Sequence, residues 1–122
     1  MDKVLILAGG YSNEREISLI TAKSVIKELT KSRKYKILLS EQDGNFIKKL
    51  RKFKPDLVLN LLHGRYGEDG YIQSILESEK VRYTHSGVIS SSLAIDKELS
   101  KKIFIKNNIL LLLTSNLVLI KK

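Results

Sequence analysis

Five consecutive apolar residues, Val4-Leu5-Ile6-Leu7-Ala8, run straight into Gly9-Gly10, and a second apolar run, Leu57-Val58-Leu59-Asn60-Leu61-Leu62, runs into His63-Gly64. Continuous apolar runs this short read as strands buried on both faces, as in a parallel sheet, so strands are predicted at residues 3–8 and 57–61. Residues 15–29 read as a helix, because Ala22, Ile26 and Leu29 recur at i, i+4 and i+7. Asn13, followed three residues later by Glu16, matches a capping pair at its start. A short strand is predicted at 36–40, then a polar turn at 41–45 and a short helix at 46–53. Pro55 blocks continuation of that helix and delivers the chain extended into the third strand.

Beyond His63 the pattern predicts a helix at 71–79, a brief strand at 81–83, a turn at Ser86-Gly87, and helices at 88–95 and 98–107. Strands alternating with helices predict an α/β fold: a parallel sheet with helices on both faces and right-handed crossovers. Residues 1–108 form one such domain, with no repeat or linker. The apolar runs 109–113 and 117–120 read as one or two strands with little left to pair with, so residues 109–122 are expected to be the truncated start of a following segment.

Two strand ends therefore carry polar, glycine-rich loops, where open α/β sheets place their ligands. The first is Gly9-Gly10-Tyr11-Ser12-Asn13-Glu14-Arg15-Glu16; the second is His63-Gly64-Arg65-Tyr66-Gly67-Glu68-Asp69-Gly70. Glu14 lies near a helix start, where a carboxylate either complements the dipole or receives a ligand ammonium. His63 can hydrogen-bond a carboxylate or orient a neighbour. Glu68 and Asp69 are expected to hold the loop and start the next helix, and Arg15 to pair with a carboxylate nearby. The loops lack the G-x-G-x-x-G spacing of a dinucleotide site and a Walker lysine.

Charge narrows the partners. Lys and Arg outnumber Asp and Glu by 22 to 13, a net +9 that suits an anionic ligand. The lysines, such as Lys31, Lys34, Lys48 and Lys52, are scattered without interleaved aromatics, which reads as a solvated surface rather than a nucleic-acid groove. No cysteine is present, so disulfides and thiolate metal sites are excluded, and two histidines cannot build a histidine-rich zinc site. No apolar stretch approaches the ~20 residues of a membrane helix.

Four motifs in order, Gly9-Gly10-x-Ser12-x-Glu14-Arg15-Glu16-x-Ser18-Leu19, Leu62-His63-Gly64-x-x-Gly67-Glu68-Asp69-Gly70-x-x-Gln73, Tyr83-Thr84-x-Ser86-Gly87 and Asp96-Lys97-x-x-Ser100-Lys101, resemble the N-terminal domain of the D-alanine–D-alanine ligases. The resemblance implies a Rossmann-like, pre-ATP-grasp domain on the substrate side of a cytoplasmic, homodimeric ligase. Such an enzyme uses ATP and magnesium to make D-Ala-D-Ala for peptidoglycan through an acyl-phosphate. It further implies that Glu14 is catalytic and binds the first D-alanine, that His63 contacts the same substrate, and that Lys97 reaches the ATP phosphates. Most of the ATP and magnesium contacts, and any metal ligands, would lie in domains that this chain does not include. No nucleic-acid or membrane partner is expected. Two rivals stand beside this reading: a flavodoxin-like signalling domain, which would need acidic residues where Gly9-Gly10 stands, and a basic nucleic-acid-binding module.

Overall fold

In the computed structural model, residues 1–109 are described. They form β1 (Asp2–Ala8), α1 (Arg15–Lys31), β2 (Tyr35–Glu41), α2 (Phe46–Phe53), β3 (Leu57–Asn60), α3 (Tyr71–Ser78), α4 (Val88–Ile95) and α5 (Lys97–Lys106). The three strands make one parallel sheet in the order β2-β1-β3. Ala8 pairs with Glu41 on one side of β1, and Leu7 pairs with Asn60 on the other.

The central strand is buried on both faces because its alternate side chains feed two separate cores. Val4, Ile6 and Ala8 pack with Ala22 of α1, ringed by Leu19, Val25, Ile26 and Leu29. Leu5 and Leu7 pack the opposite way, with Phe46 and Leu50 of α2, Val58 of β3, and Ile72 and Leu76 of α3. Helices thus cover both faces. Helix α2 ends at Lys54, which turns left-handed at φ +50° and donates its backbone N–H to the Leu50 carbonyl; Pro55 follows.

The brief strand expected at 81–83 is instead a single bridge between Val58 and Tyr83. Val58 N–H donates to the Arg82 carbonyl and Thr84 N–H returns to the Val58 carbonyl. The ladder stops there because the Thr84 hydroxyl accepts the next amide, that of Asn60, at 3.1 Å, and His85 turns left-handed at φ +79°. The expected Asn13–Glu16 capping pair does not form either. Glu14 is the N-cap of α1 and makes no side-chain capping bond, because the loop is held from outside. The run 117–120 and most of 109–113 lie outside the described residues.

Candidate functional site

The first crossover leaves β1 toward β2, and the second passes back over β1 to reach β3. The carboxyl ends of β1 and β3 therefore flank the point where the winding reverses, the crevice in which such sheets bind ligands. Both polar loops arise there.

They are tied together. Ser12 Oγ donates to the His63 carbonyl at 2.7 Å and accepts the Glu14 amide at 3.1 Å. Closer to the core, buried Ser18 makes a second tie: its hydroxyl donates to the Leu61 carbonyl at 2.6 Å and accepts the Gly9 amide at 2.8 Å. Arg15 grips Glu41 at the end of β2 through Nε and Nη2, with contacts of 2.7 to 3.0 Å. The expected carboxylate partner of Arg15 is thus Glu41, which the β1–β2 register pairs with Ala8 and whose side chain packs against Gly9.

The second loop is held from within. Glu68 accepts the Gly64 amide at 2.8 Å, while Asp69 accepts the Tyr66 amide at 2.8 Å and the Tyr71 amide at 3.1 Å. These two carboxylates hold the loop and the start of α3, as their positions suggest. The Gly67 carbonyl receives both Asn60 Nδ2 and Gln73 Nε2 at 3.0 Å, and the residue backs so closely onto Leu62 that a Cβ there would overlap its side chain.

Of the predicted site residues, Glu14 and His63 are brought to one lip. Glu14 is exposed, and its carboxylate makes no hydrogen bond among the described residues. It lies close to the second loop, since a Cβ on Gly64 would stand 3.6 Å from Glu14 Oε1. His63 turns Nδ1 toward Glu68 Oε1 at 3.9 Å, too long for a hydrogen bond. Its Nε2 is enclosed and has no partner, an unmet hydrogen-bonding capacity that a protein rarely leaves without reason. Lys97 stands apart from both, exposed on the first turn of α5, where Asp96 caps the helix by accepting the Glu98 and Leu99 amides.

A cavity of about 170 Å³ opens beside the second loop, lined by Asn60, Leu62, Gly67, Gln73, His85 and Ser91 with their neighbours. None of the three predicted site residues lines it. Perturbed acidities lie elsewhere: hydrogen bonding to Arg51 lowers Glu79 and hydrogen bonding to Lys49 lowers Asp43, while burial followed by its bond to Glu77 pushes Tyr83 up to about 12. Among the described residues no group of three or more His, Asp and Glu side chains could hold a metal, and no helix is long and apolar enough to cross a membrane.

An open parallel sheet with two ligand-type loops joined at its reversal point defines an α/β domain of the kind that takes a ligand at its strand ends. No family model matches the chain, but individual relatives do. It is 64% identical over 108 residues to a D-alanine–D-alanine ligase of Pelagibacter ubique, covering 88% of this chain and 35% of that protein. A ligase of the same name from Zymomonas mobilis is 49% identical over 106 residues, covering 87% and 33%. The crystal structure of the Bacillus anthracis ligase complexed with ATP superposes with a TM-score of 0.77 at 34% identity, covering 88% of this chain and 38% of that one. The chain is similar to the N-terminal part of proteins named D-alanine–D-alanine ligase. It spans about a third of the length of the curated relatives it matches. The signalling and nucleic-acid readings find no support among these relatives.

Proposed function

We propose that this domain supplies one wall of the first D-alanine site in an ATP-dependent ligase that joins two D-alanines for peptidoglycan. The observation that carries the reading is the tie between the two loops, which holds the unpaired Glu14 carboxylate and the partnerless His63 Nε2 at one lip of the sheet. Glu14 receives the substrate ammonium in a charge-assisted hydrogen bond. His63 contributes a hydrogen bond and helps to orient the amino acid for attack. Lys97 offers a point charge to ATP phosphate. Magnesium, where bound, neutralises phosphate charge, and the proposal assigns its ligands mainly to other domains of such a ligase. Residues 1–108 form the substrate-side domain, and 109–122 begin the next. The enzyme is proposed to work in the cytoplasm as a homodimer, with no nucleic-acid or membrane partner.

The test is a ligase carrying residues 1–108 of this chain as its first domain. Glu14→Gln removes a charge-assisted bond of ~1.5–3 kcal/mol and lowers kcat/KM for D-alanine by about 10- to 150-fold, with KM for ATP nearly unmoved. Lys97→Ala does the reverse, raising KM for ATP more than that for D-alanine. A ligase whose D-alanine kinetics stay within about twofold on Glu14→Gln would contradict the assignment.

A further inference from the structure

Tyr66 stands in the left-handed region at φ +67°, a conformation unfavourable for a side chain with a Cβ and easy for glycine. Glycines occupy positions 64, 67 and 70 of the same loop, so a tyrosine here is not the residue the backbone would select. Such an outlier persists only where its surroundings over-determine it. Those surroundings are aromatic. The Tyr66 ring meets Tyr11 edge-on at 6.4 Å and Tyr71 at 5.2 Å, and the Arg65 guanidinium lies 4.9 Å from its centre. Its backbone is gripped as well, by Asp69 at the amide and by Gln42 at the carbonyl. Tyr11 belongs to the first loop and Tyr71 opens α3, so the ring joins the two loops at a point separate from the Ser12–His63 bond.

We infer that Tyr66 is a positioning residue, whose ring couples the 9–14 loop to the 63–70 loop and so fixes Glu14 against His63. The identity of the ligand rests on the proposed function; the coupling does not. Tyr66→Gly releases the unfavourable backbone but removes the ring, Tyr66→Asn does so while retaining a side chain tolerant of the left-handed region, and Tyr66→Phe keeps the ring.

The three variants and Tyr11→Ala are made in the 122-residue chain, followed by chemical denaturation and by solvent-exchange NMR of the Glu14 and Gly64 amides. Tyr66→Gly and Tyr66→Asn are expected to keep the denaturation midpoint yet speed exchange at Glu14, in the opposite loop, by about fivefold or more. Tyr11→Ala should do the same at Gly64, and Tyr66→Phe should match the parent. A residue that merely stabilises the fold would move the midpoint and not the opposite loop. In the ligase carrying this domain, Tyr66→Gly should raise KM for D-alanine about tenfold and leave KM for ATP within about twofold. Glu14 exchange within about twofold of the parent in both ring-deleted variants overturns the inference, as does Tyr66→Phe behaving like Tyr66→Gly. If coupling is seen but the ligase with Tyr66 intact shows no D-alanine dependence, the proposed function falls and the coupling stands.

Discussion

Ser18→Ala removes one oxygen and unpairs two backbone groups. The hydroxyl is fully buried in the first turn of α1, and it satisfies the Gly9 N–H at 2.8 Å and the Leu61 carbonyl at 2.6 Å. An enclosed backbone group left unpaired costs ~1–3 kcal/mol. Two such groups would give the sum of those ranges, but Leu61 is only half-buried and its carbonyl has a second lone pair, so the expected loss is ~2–4 kcal/mol. For a domain of this size that corresponds to a fall in Tm of about 4 °C per kcal/mol, or ~8–16 °C in all. Urea denaturation followed by circular dichroism measures it directly, with Ser24→Ala as the control, since Ser24 lies exposed on the same helix and donates only to Ile20. The control should stay within ~0.5 kcal/mol of the parent. A Ser18→Ala loss below ~1 kcal/mol with an unchanged m-value would refute the reasoning, because it would mean that the two strand ends do not depend on this hydroxyl.

Gly70→Ala should destabilise by more than ~2 kcal/mol, since the residue sits at φ +93° and a Cβ there would overlap Ser92 Oγ and the Val88 carbonyl; a melting curve unchanged from the parent would contradict this. Burial and the Glu77 bond raise Tyr83 from an ordinary 10.0 to about 12, so the unfolded chain loses this proton first and stability falls between about pH 10 and 12, below which the contribution is intact. The drop attributable to this group is at most ~2 kcal/mol after allowance for its partial exposure, and Tyr83→Phe should flatten that part of the alkaline stability profile. If the proposed homodimer forms through this domain, the 122-residue chain should self-associate weakly in ultracentrifugation; a strict monomer over a hundredfold concentration range would count against that.

The elements written in local pattern were legible in the sequence. Helix α2 begins and ends as read, because Phe46, Ile47, Leu50 and Phe53 fall on one helical face and Pro55 forbids continuation. The order β2-β1-β3 could not be read residue by residue; it follows from which loop crosses which strand. The strand at 81–83 was misread because its apolar pattern, Val81 and Tyr83 packed on the core, is that of a strand, whereas a Thr84 hydroxyl ends the ladder after one rung. The capping pair failed for a related reason. Ser12 is committed to His63, fifty-one residues away, and a local propensity of ~1 kcal/mol yields to such a tertiary tie. Glu14 and His63 could be named as candidates from their loops. Of the residues that bring them together, Ser12, Ser18 and Gln73 were visible only as motif positions without a role and Asn60 not at all, because a hydroxyl or amide becomes informative only once its distant partner is known.

The two-sided burial of β1 also sets which changes in chain length this gene can survive. Deleting a single codon between Val4 and Ala8 would turn every side chain upstream or downstream of the gap to the other face. Leucines sized for the α2–α3 core would then press on Ala22, and the small Ala8 would leave a void opposite Phe46 and Leu50. Neither neighbouring strand could slip to compensate, since each is registered against the same backbone. The turn at Ser32, Arg33 and Lys34 is exposed and bridges helix to strand without touching either core, so extra residues there add little beyond the slow growth of loop-closure entropy. Length variation among relatives should therefore gather at that turn and be absent from the first strand.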